Sequence, residues 1–177
     1  PRQTDGTLHR YRFADMAARA RQLAQALQAL GLRQGSSVGS IAWNNQRHLE
    51  AYYAVSGSGM VMHTCNPRLH PEQLAYIVNH ADDEVVLFDT SFAPLVNAIA
   101  PHCPKVQHWV AMCDAAALPA IAAVGGVQDY ETLIAAHGTR FDWPELDEKS
   151  GAALCYTSGT TGNPKGVLYS QRALVLS

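Results

Sequence analysis

Residues 152–169 read Ala-Ala-Leu-Cys-Tyr-Thr-Ser-Gly-Thr-Thr-Gly-Asn-Pro-Lys-Gly-Val-Leu-Tyr. The runs on either side of the glycines, 152–156 and 167–169, have the apolar and aromatic composition of buried strands. The glycine, serine and threonine residues between them mark a loop, because these residues favour turns over regular structure. This stretch therefore predicts a strand, a glycine-rich loop and a second strand.

The chemistry of that loop suits a polyphosphate. Gly159 and Gly162 allow the backbone to approach anionic oxygens closely and to adopt positive φ. The polar groups of the loop are Ser158, Thr160, Thr161 and Lys165. Hydroxyls donate hydrogen bonds to phosphate oxygens, and an ammonium group neutralises their charge. By composition alone, a Ser/Thr/Gly loop is more often a plain surface turn.

The spacing excludes a Walker-type loop. That loop follows the pattern G-x-x-x-x-G-K-[ST], in which the lysine comes directly after a glycine. Here Lys165 follows Pro164 and precedes Gly166. A phosphate-binding role must therefore rest on a different loop geometry.

Upstream of the loop, short apolar runs alternate with amphipathic segments. A helix is predicted over 14–30, where Gly31 is placed to end it in the left-handed conformation. Strands are predicted at 38–43, 61–64, 85–88 and 106–110. Further helices are predicted over 46–55, from Pro71, through 95–99, and over 129–136. This alternation indicates an α/β fold with a mostly parallel sheet flanked by helices. Residues 114–124 receive no assignment, and 139–149 are expected to form a surface connection.

Composition narrows the classes of molecule that the chain is expected to bind. The chain has 177 residues, a formal charge of -2 and 47% hydrophobic residues, with no cluster of lysine or arginine. Nucleic acid is therefore not an expected partner, and a small molecule is. The longest apolar stretch, 51–65, is too broken to predict a transmembrane segment. The four cysteines form no CxxC pair and no zinc-like spacing, which favours reduced thiols in a cytoplasmic protein.

The loop resembles the signature of the adenylate-forming enzymes, which include acyl-CoA synthetases, luciferases and the adenylation domains of peptide synthetases. Their pattern is [ST]-[ST]-G-T-T-G-x-P-K-G, and residues 157–166 match every fixed position. Further segments resemble the medium- and long-chain fatty acyl-CoA synthetases; they are 43–55, 63–69, 73–80 and 170–174. One departure is Gln171, where the family usually has histidine, and we expect a quantitative effect at most.

The resemblance implies a reaction in two steps. A fatty acid and ATP give an acyl-adenylate and pyrophosphate, and coenzyme A then displaces AMP to form the thioester. The implied cofactors and substrates are ATP, Mg²⁺, coenzyme A and the acid. The positions that would contact the ATP phosphates are Thr157, Ser158, Gly159, Thr160, Thr161, Gly162 and Lys165. Thr157 would also lie near Mg²⁺, and Lys165 would stabilise the departing pyrophosphate.

The resemblance also implies that the chain, residues 1–177, is an incomplete N-terminal AMP-binding domain. The later glutamate, adenine pocket, ribose-binding aspartate and C-terminal lysine of the family do not occur in it, so we expect it to be inactive alone. Homodimers are common in the family, which makes one a candidate assembly. Three alternatives stay open: a non-catalytic nucleotide-binding module, a fatty acyl-AMP ligase that uses a carrier protein, and another acid-activating member. The acyl chain length is not readable.

Several other residues invite a functional interpretation that the sequence does not support. His48 and His63 are assigned packing or surface roles, since neither has a carboxylate or cysteine at ligand spacing. Cys155 is interpreted as a core residue of its strand. For Arg68 a surface or inter-subunit ion pair is at least as well supported as a catalytic role. Residues 82–84, Asp-Asp-Glu, are interpreted as a solvated turn.

Overall fold

The computed structural model describes residues 8–157 and 163–176. Within these ranges the strands are β1 (Ser37–Ile41), β2 (Val61–Thr64), β3 (Asp83–Phe88), β4 (His108–Ala111), β5 (Val127–Asp129), β6 (Gly151–Thr157) and β7 (Lys165–Ser170). The α-helices are α1 (Phe13–Ala29), α2 (Gln46–Gly57), α3 (Pro71–His80), α4 (Ala93–Ile99), α5 (Tyr130–Ala135) and α6 (Gln171–Leu176).

All seven strands belong to one sheet with the order β5-β4-β3-β1-β2-β6-β7. Neighbouring strands are parallel from β5 through β6, and only β7 runs antiparallel to its neighbour. Most connections between the parallel strands contain an α-helix, as is usual, whereas the one between β4 and β5 contains only a short 3-10 helix, Ala115–Ala117. The predicted α/β class and the mostly parallel sheet are confirmed.

Two apolar cores cover the two faces of the sheet. Helices α1, α2 and α5 pack on one face and α3 and α4 on the other. Residues 85–88 of β3 are apolar without interruption: Val85 and Leu87 point into the first core, while Val86 and Phe88 point into the second. Successive side chains of a strand alternate between faces, and helices cover both faces of this segment, so apolar side chains are favoured at all four positions.

The predicted elements are confirmed with shifted boundaries. Helix α1 ends as expected, because Gly31 has a φ of 97° directly after the C-cap residue. Strand β1 ends at Ile41, so the predicted extension to Trp43 is wrong. Strand β5 has only three residues and was not predicted.

The interpretation of residues 82–84 as a solvated turn is wrong for Asp83. Asp82 is exposed and has a φ of 54°, as a turn residue can. Asp83 begins β3, and its side chain is fully buried. The run of three acidic residues concealed this difference, because a buried carboxylate is uncommon unless it is paired.

The edge of the sheet formed by β7 is exposed to solvent. Residues 165–169 of β7 are exposed, including Leu168 at 59%.

Among the described residues, no helix is long and apolar enough to cross a membrane.

Candidate functional site at the carboxyl edge of the sheet

Strand β6 carries the candidate site to the edge where the parallel strands β1 and β2 also end. Ligands of open α/β sheets bind at this carboxyl edge. Thr157 ends β6 and Lys165 begins β7, and the two residues are partners in the antiparallel register. Both are exposed. The Thr157 hydroxyl donates to the Lys165 carbonyl oxygen at 3.5 Å. The two ends of the glycine-rich loop are thus held side by side.

Five of the predicted phosphate-binding residues lie outside the described part of the chain. They are Ser158, Gly159, Thr160, Thr161 and Gly162. Their predicted role stays a prediction. Thr157 and Lys165 are described, and the pairing of β6 with β7 brings them together as the sequence pattern requires.

Tyr156 directly precedes these residues and is held on several sides. Its hydroxyl and the Nδ1 atom of His80 share a hydrogen bond of 2.6 Å. Its ring centroid lies 5.1 Å from that of His63. Burial is the main cause that raises the pKa of Tyr156 to about 12, so the phenol stays neutral at physiological pH. Gly166 is its register partner on β7.

His63 has partners that the sequence did not predict. Its Nδ1 atom lies 2.7 Å from Oδ2 of Asp83, and both side chains are fully buried. The Ser37 hydroxyl donates to the other carboxylate oxygen of Asp83 at 2.6 Å. Burial raises the pKa of Asp83, although the bonds from His63 and Ser37 oppose this shift. The interpretation that His63 lacks a carboxylate partner is therefore wrong. Strand β1 lies between the strands of residues 63 and 83, and the two side chains meet across it because Gly39 has no side chain.

The atoms of His63, Asp83 and Cys65 that could bind a metal lie within 4.8 Å of one another. In the structure these groups contact one another. Nδ1 of His63 is hydrogen-bonded to Asp83, and the Cys65 sulfur lies 3.6 Å from Nε2 of His63. Burial raises the pKa of the Cys65 thiol well above its usual range. The group is a hydrogen-bonded cluster of the core.

The predicted Mg²⁺ contact is a separate matter. Thr157 offers one hydroxyl oxygen at an exposed position, and oxygen is the ligand that Mg²⁺ prefers. Within the described ranges, the only group of three or more His, Cys, Asp or Glu side chains that could hold a metal is the buried one. The contact of Thr157 with Mg²⁺ therefore stays a prediction.

A cavity of about 560 Å³ opens at the same edge of the sheet. Its lining residues are Asn44, Asn45, Gln46, His48, Leu49, Tyr52 and Thr64. Nε2 of His48 lies 3.1 Å from the Ser40 hydroxyl, and burial lowers the pKa of His48. Thr64 also lies 3.3 Å from the sulfur of Cys155 on β6. The cavity therefore borders the strand that leads to Thr157.

Asp89 holds the segment that forms one wall of this cavity. Its Oδ2 accepts from the backbone N–H of Trp43 at 2.5 Å, and its Oδ1 accepts from the Asn45 amide at 3.0 Å. Asn45 in turn caps α2 by accepting from the His48 backbone N–H. The only sequence signal for this arrangement was the resemblance of 43–55 to the acyl-CoA synthetases.

Comparison with known proteins decides the family. Residues 3–177 match the AMP-binding enzyme family. The chain belongs to this family. It is 51% identical over 174 residues to a 3-methylmercaptopropionyl-CoA ligase of Ruegeria lacuscaerulensis, a match that covers 98% of this chain and 32% of that protein. It is 49% identical over 174 residues to a medium-chain-fatty-acid–CoA ligase of Ectopseudomonas oleovorans, again over 98% and 32%.

A solved structure supports the same fold. The crystal structure of a putative long-chain-fatty-acid CoA ligase from Rhodopseudomonas palustris superposes with a TM-score of 0.80 and 26% identity. The match covers 97% of this AMP-binding chain and 40% of that protein. The chain spans about a third of the length of the curated relatives it matches.

Other predicted positions in this member of the AMP-binding enzyme family have plain surroundings. Cys155 is only half-buried in β6 and belongs to neither apolar core of the described residues, so its interpretation as a core residue is not confirmed. Arg68 is exposed, and its backbone N–H donates to the Asn66 side chain. Gln171, the departure from the usual histidine, donates from Nε2 to the Ser56 carbonyl oxygen at 2.8 Å and so ties α6 to α2.

Proposed function

We propose that the chain is the phosphate-binding N-terminal part of an AMP-forming acyl-CoA ligase that activates an aliphatic carboxylic acid. The observation that carries the proposal is the register pair Thr157–Lys165 at the exposed carboxyl edge of the sheet, at the two ends of a loop with the full adenylate-forming signature. The relatives named above act on a short thioether acid and on medium-chain fatty acids. A medium-chain aliphatic acid is therefore the proposed substrate class.

In the proposed first step, a carboxylate oxygen forms a bond to the α-phosphorus of ATP while the bond to the pyrophosphate oxygen breaks. Negative charge grows on the departing pyrophosphate, where a preorganised cation has its largest effect. Lys165 is proposed to supply that cation, and Thr157 to donate a hydrogen bond beside it. Mg²⁺, held in part by Thr157, would neutralise further phosphate charge.

In the proposed second step, the thiol sulfur of coenzyme A forms a bond to the acyl carbon and AMP leaves. The thiol proton passes to solvent or to a base. The described residues of this chain are not assigned to that step. The acceptor is therefore tested directly, because a carrier-protein thiol could replace coenzyme A.

The test is acid-dependent ATP–pyrophosphate exchange by the full-length protein. Acetate, octanoate, palmitate, benzoate and 3-methylmercaptopropionate are compared at equal concentration. We expect the fastest exchange with octanoate or 3-methylmercaptopropionate, and release of AMP when coenzyme A is added. Exchange without AMP release on addition of coenzyme A would favour an acyl-AMP ligase. No exchange from a folded protein that binds ATP would favour a non-catalytic module.

Lys165→Ala tests the residue assignment. We expect adenylate formation to fall by about 10²- to 10³-fold, the usual cost of one preorganised donor of charge stabilisation. Thioester formation from supplied acyl-adenylate should change far less, because pyrophosphate is absent from that step. Single-turnover measurements of the two half-reactions separate these effects. Lys149→Ala, at an exposed lysine, is the matched control. Equal losses in both half-reactions would refute the assignment.

A homodimer, which the resemblance implies, and a cytoplasmic location, which the scattered cysteines favour, are further proposals. All four cysteines are free thiols, which suits a reducing compartment. Light scattering of the full-length protein would decide the oligomeric state.

A further inference from the structure

A row of five residues, three with polar side chains and two glycines, crosses five neighbouring strands on one face of the sheet and ends beside Lys165. We call it the Tyr156 row. Its members, in the order β3, β1, β2, β6 and β7, are Asp83, Gly39, His63, Tyr156 and Gly166. Gly39 is the register partner of His63, and Tyr156 is the partner of Gly166. His63 is the partner of Leu154, two residues before Tyr156 and on the same face of β6.

The two glycines of the row make room for the side chains that cross them. A Cβ atom on Gly39 would lie 2.7 Å from Oδ2 of Asp83, closer than real contacts allow. The missing side chain lets Asp83 pass over β1 and reach His63. A Cβ atom on Gly166 would lie 3.2 Å from Cζ of Tyr156, so the tyrosine ring lies across β7 at this point. The absence of a side chain at Gly166 thus makes room for the Tyr156 ring, in addition to any contact of Gly166 with phosphate.

Tyr156 is fixed from both sides of this crossing. On one side is the ring of His63, which Asp83 holds at 2.7 Å. On the other is His80 of α3, which shares the 2.6 Å hydrogen bond with the Tyr156 hydroxyl. The ring of Tyr76 stacks on His80 with centroids 5.5 Å apart. The tyrosine therefore has a defined ring plane and a defined hydroxyl position.

The next register pair after Tyr156–Gly166 is Thr157–Lys165. β7 is the last strand of the sheet order, so its only strand partner among the described residues is β6. An aromatic ring that covers a glycine on an edge strand strengthens the pairing of the two strands. The contact between Tyr156 and Gly166 is therefore the pairing contact directly next to the Lys165 backbone.

We propose that Tyr156 is a positioning residue that, clamped between His80 and the His63–Asp83 pair, fixes β7 against β6 and so directs Thr157 and Lys165 toward the ATP polyphosphate. The inference rests on the proposed function, because it assigns Tyr156 a role in the same site. Tyr156 acts through the strand pairing, and no contact of its own with ATP is required.

The test uses Tyr156→Phe in the full-length protein, which removes the hydroxyl and keeps the ring. We expect the KM for ATP in pyrophosphate exchange, and the Kd for ATP by calorimetry, to rise about 2- to 10-fold; the upper figure is the full cost of the hydrogen bond lost to His80, which affects ATP only through the strand pairing. The KM for the acid should change by less than about twofold, within the scatter of such measurements. Tyr53→Phe, at an exposed tyrosine of α2, is the matched control and should change neither constant.

A second set of variants separates positioning from stability. His80→Ala should match Tyr156→Phe, the double variant should be no worse than either, and His80→Gln should recover part of the affinity by restoring a hydrogen-bonding partner. A lower thermal midpoint with an unchanged Kd for ATP would overturn the inference, as would equal rises in the constants for ATP and acid. If the wild type does not exchange but binds ATP, the proposed function fails while the Kd still tests Tyr156. If the wild type does not bind ATP, both fail.

Discussion

Two clusters of buried and half-buried polar side chains lie on opposite faces of the sheet, and they differ in the elements that they join. The first, the Arg19 cluster, consists of Arg19, Arg47, Glu50, Tyr130 and Glu131. Arg19 donates to Glu50 at 2.8 Å and to both carboxylate oxygens of Glu131 at 2.9 Å. Arg47 donates to Glu131 at 2.7 Å, and the Tyr130 hydroxyl donates to Glu50 at 2.8 Å. The cluster joins α1, α2 and α5 to one another.

The Tyr156 row contains similar chemistry, a buried carboxylate, an imidazole and a phenol, but it ends at the register pair Thr157–Lys165. Its charges are also balanced differently. The Arg19 cluster pairs two guanidinium groups with two carboxylates, whereas Asp83 is stabilised by an imidazole and a hydroxyl. The comparison teaches that burial and pairing alone do not mark a functional residue. What matters is whether the cluster fixes an element that carries the site.

The largest effect is expected from Arg19→Met, which should lower the free energy of unfolding and leave the affinity for ATP unchanged. The side chain of Glu50 is fully buried, and this change removes the cation paired with its carboxylate, which keeps neutral partners in the hydroxyls of Tyr130 and Tyr11. Removing one member of a buried ion pair costs about 3–5 kcal/mol of the free energy of unfolding. Urea unfolding measures this loss, and the Kd for ATP should stay unchanged in the folded variant.

Two further variants control this prediction. Arg33→Met, at an exposed arginine, should have little effect on unfolding. Arg19→Met combined with Glu50→Gln should be less destabilised than Arg19→Met alone, because no unpaired charge is then buried. A change in the Kd for ATP as large as that of Tyr156→Phe would erase the distinction between the two clusters.

Gly39→Ala tests the part of the Tyr156 row that is far from Lys165, because β2 and β6 lie between the strands of these two residues. The new methyl group would meet the Asp83 carboxylate at 2.7 Å and force it away from His63. Overpacking of this kind costs about 1–3 kcal/mol in stability. Because His63 supports the Tyr156 ring, the Kd for ATP should also rise. Gly125→Ala adds a methyl group where nothing lies within 4 Å and serves as the control. A lower free energy of unfolding with an unchanged Kd for ATP would show that the effect of Gly39 and Asp83 does not extend beyond His63.

Much of the fold could be predicted from local patterns. The amphipathic period of α1, the positive φ at Gly31 and the apolar run of β3 each follow from residues close together in the sequence. Strand β5 could not be predicted, because three residues are too few to show a period. Thr157 and Lys165 could be named from the motif alone, since their spacing is characteristic.

The Tyr156 row could not be predicted, because its contacts are non-local. His63 and Asp83 are 20 residues apart in sequence and lie on strands that are not neighbours. Their contact depends on the absence of a side chain at Gly39, and a single glycine in a strand pattern does not specify what crosses it. Tyr156 meets His80 across 76 residues for the same reason. Sequence patterns located the loop, and only the sheet order locates its supports.

The smallest expected effect comes from Glu131→Gln, which sharpens the comparison through its pH dependence. Burial raises the pKa of Glu131, but the hydrogen bonds from Arg19 and Arg47 lower it by more, so it lies below its ordinary value of 4.5. The unfolded chain therefore takes up the proton first as the pH falls. The stabilisation is fully present above the unfolded pKa and is lost as the pH falls through the folded pKa.

We expect the variant to lose about 1–2 kcal/mol at pH 7, a value reduced from that of a fully buried pair because Glu131 is partly exposed. Urea unfolding of wild type and variant at pH 7 and at pH 3.5 measures the difference, which should shrink at the lower pH. Glu145→Gln, at an exposed glutamate, should show no such trend. A difference that is the same at both pH values would mean that the Glu131 charge does not contribute, and that the Arg19 cluster joins its helices through packing alone.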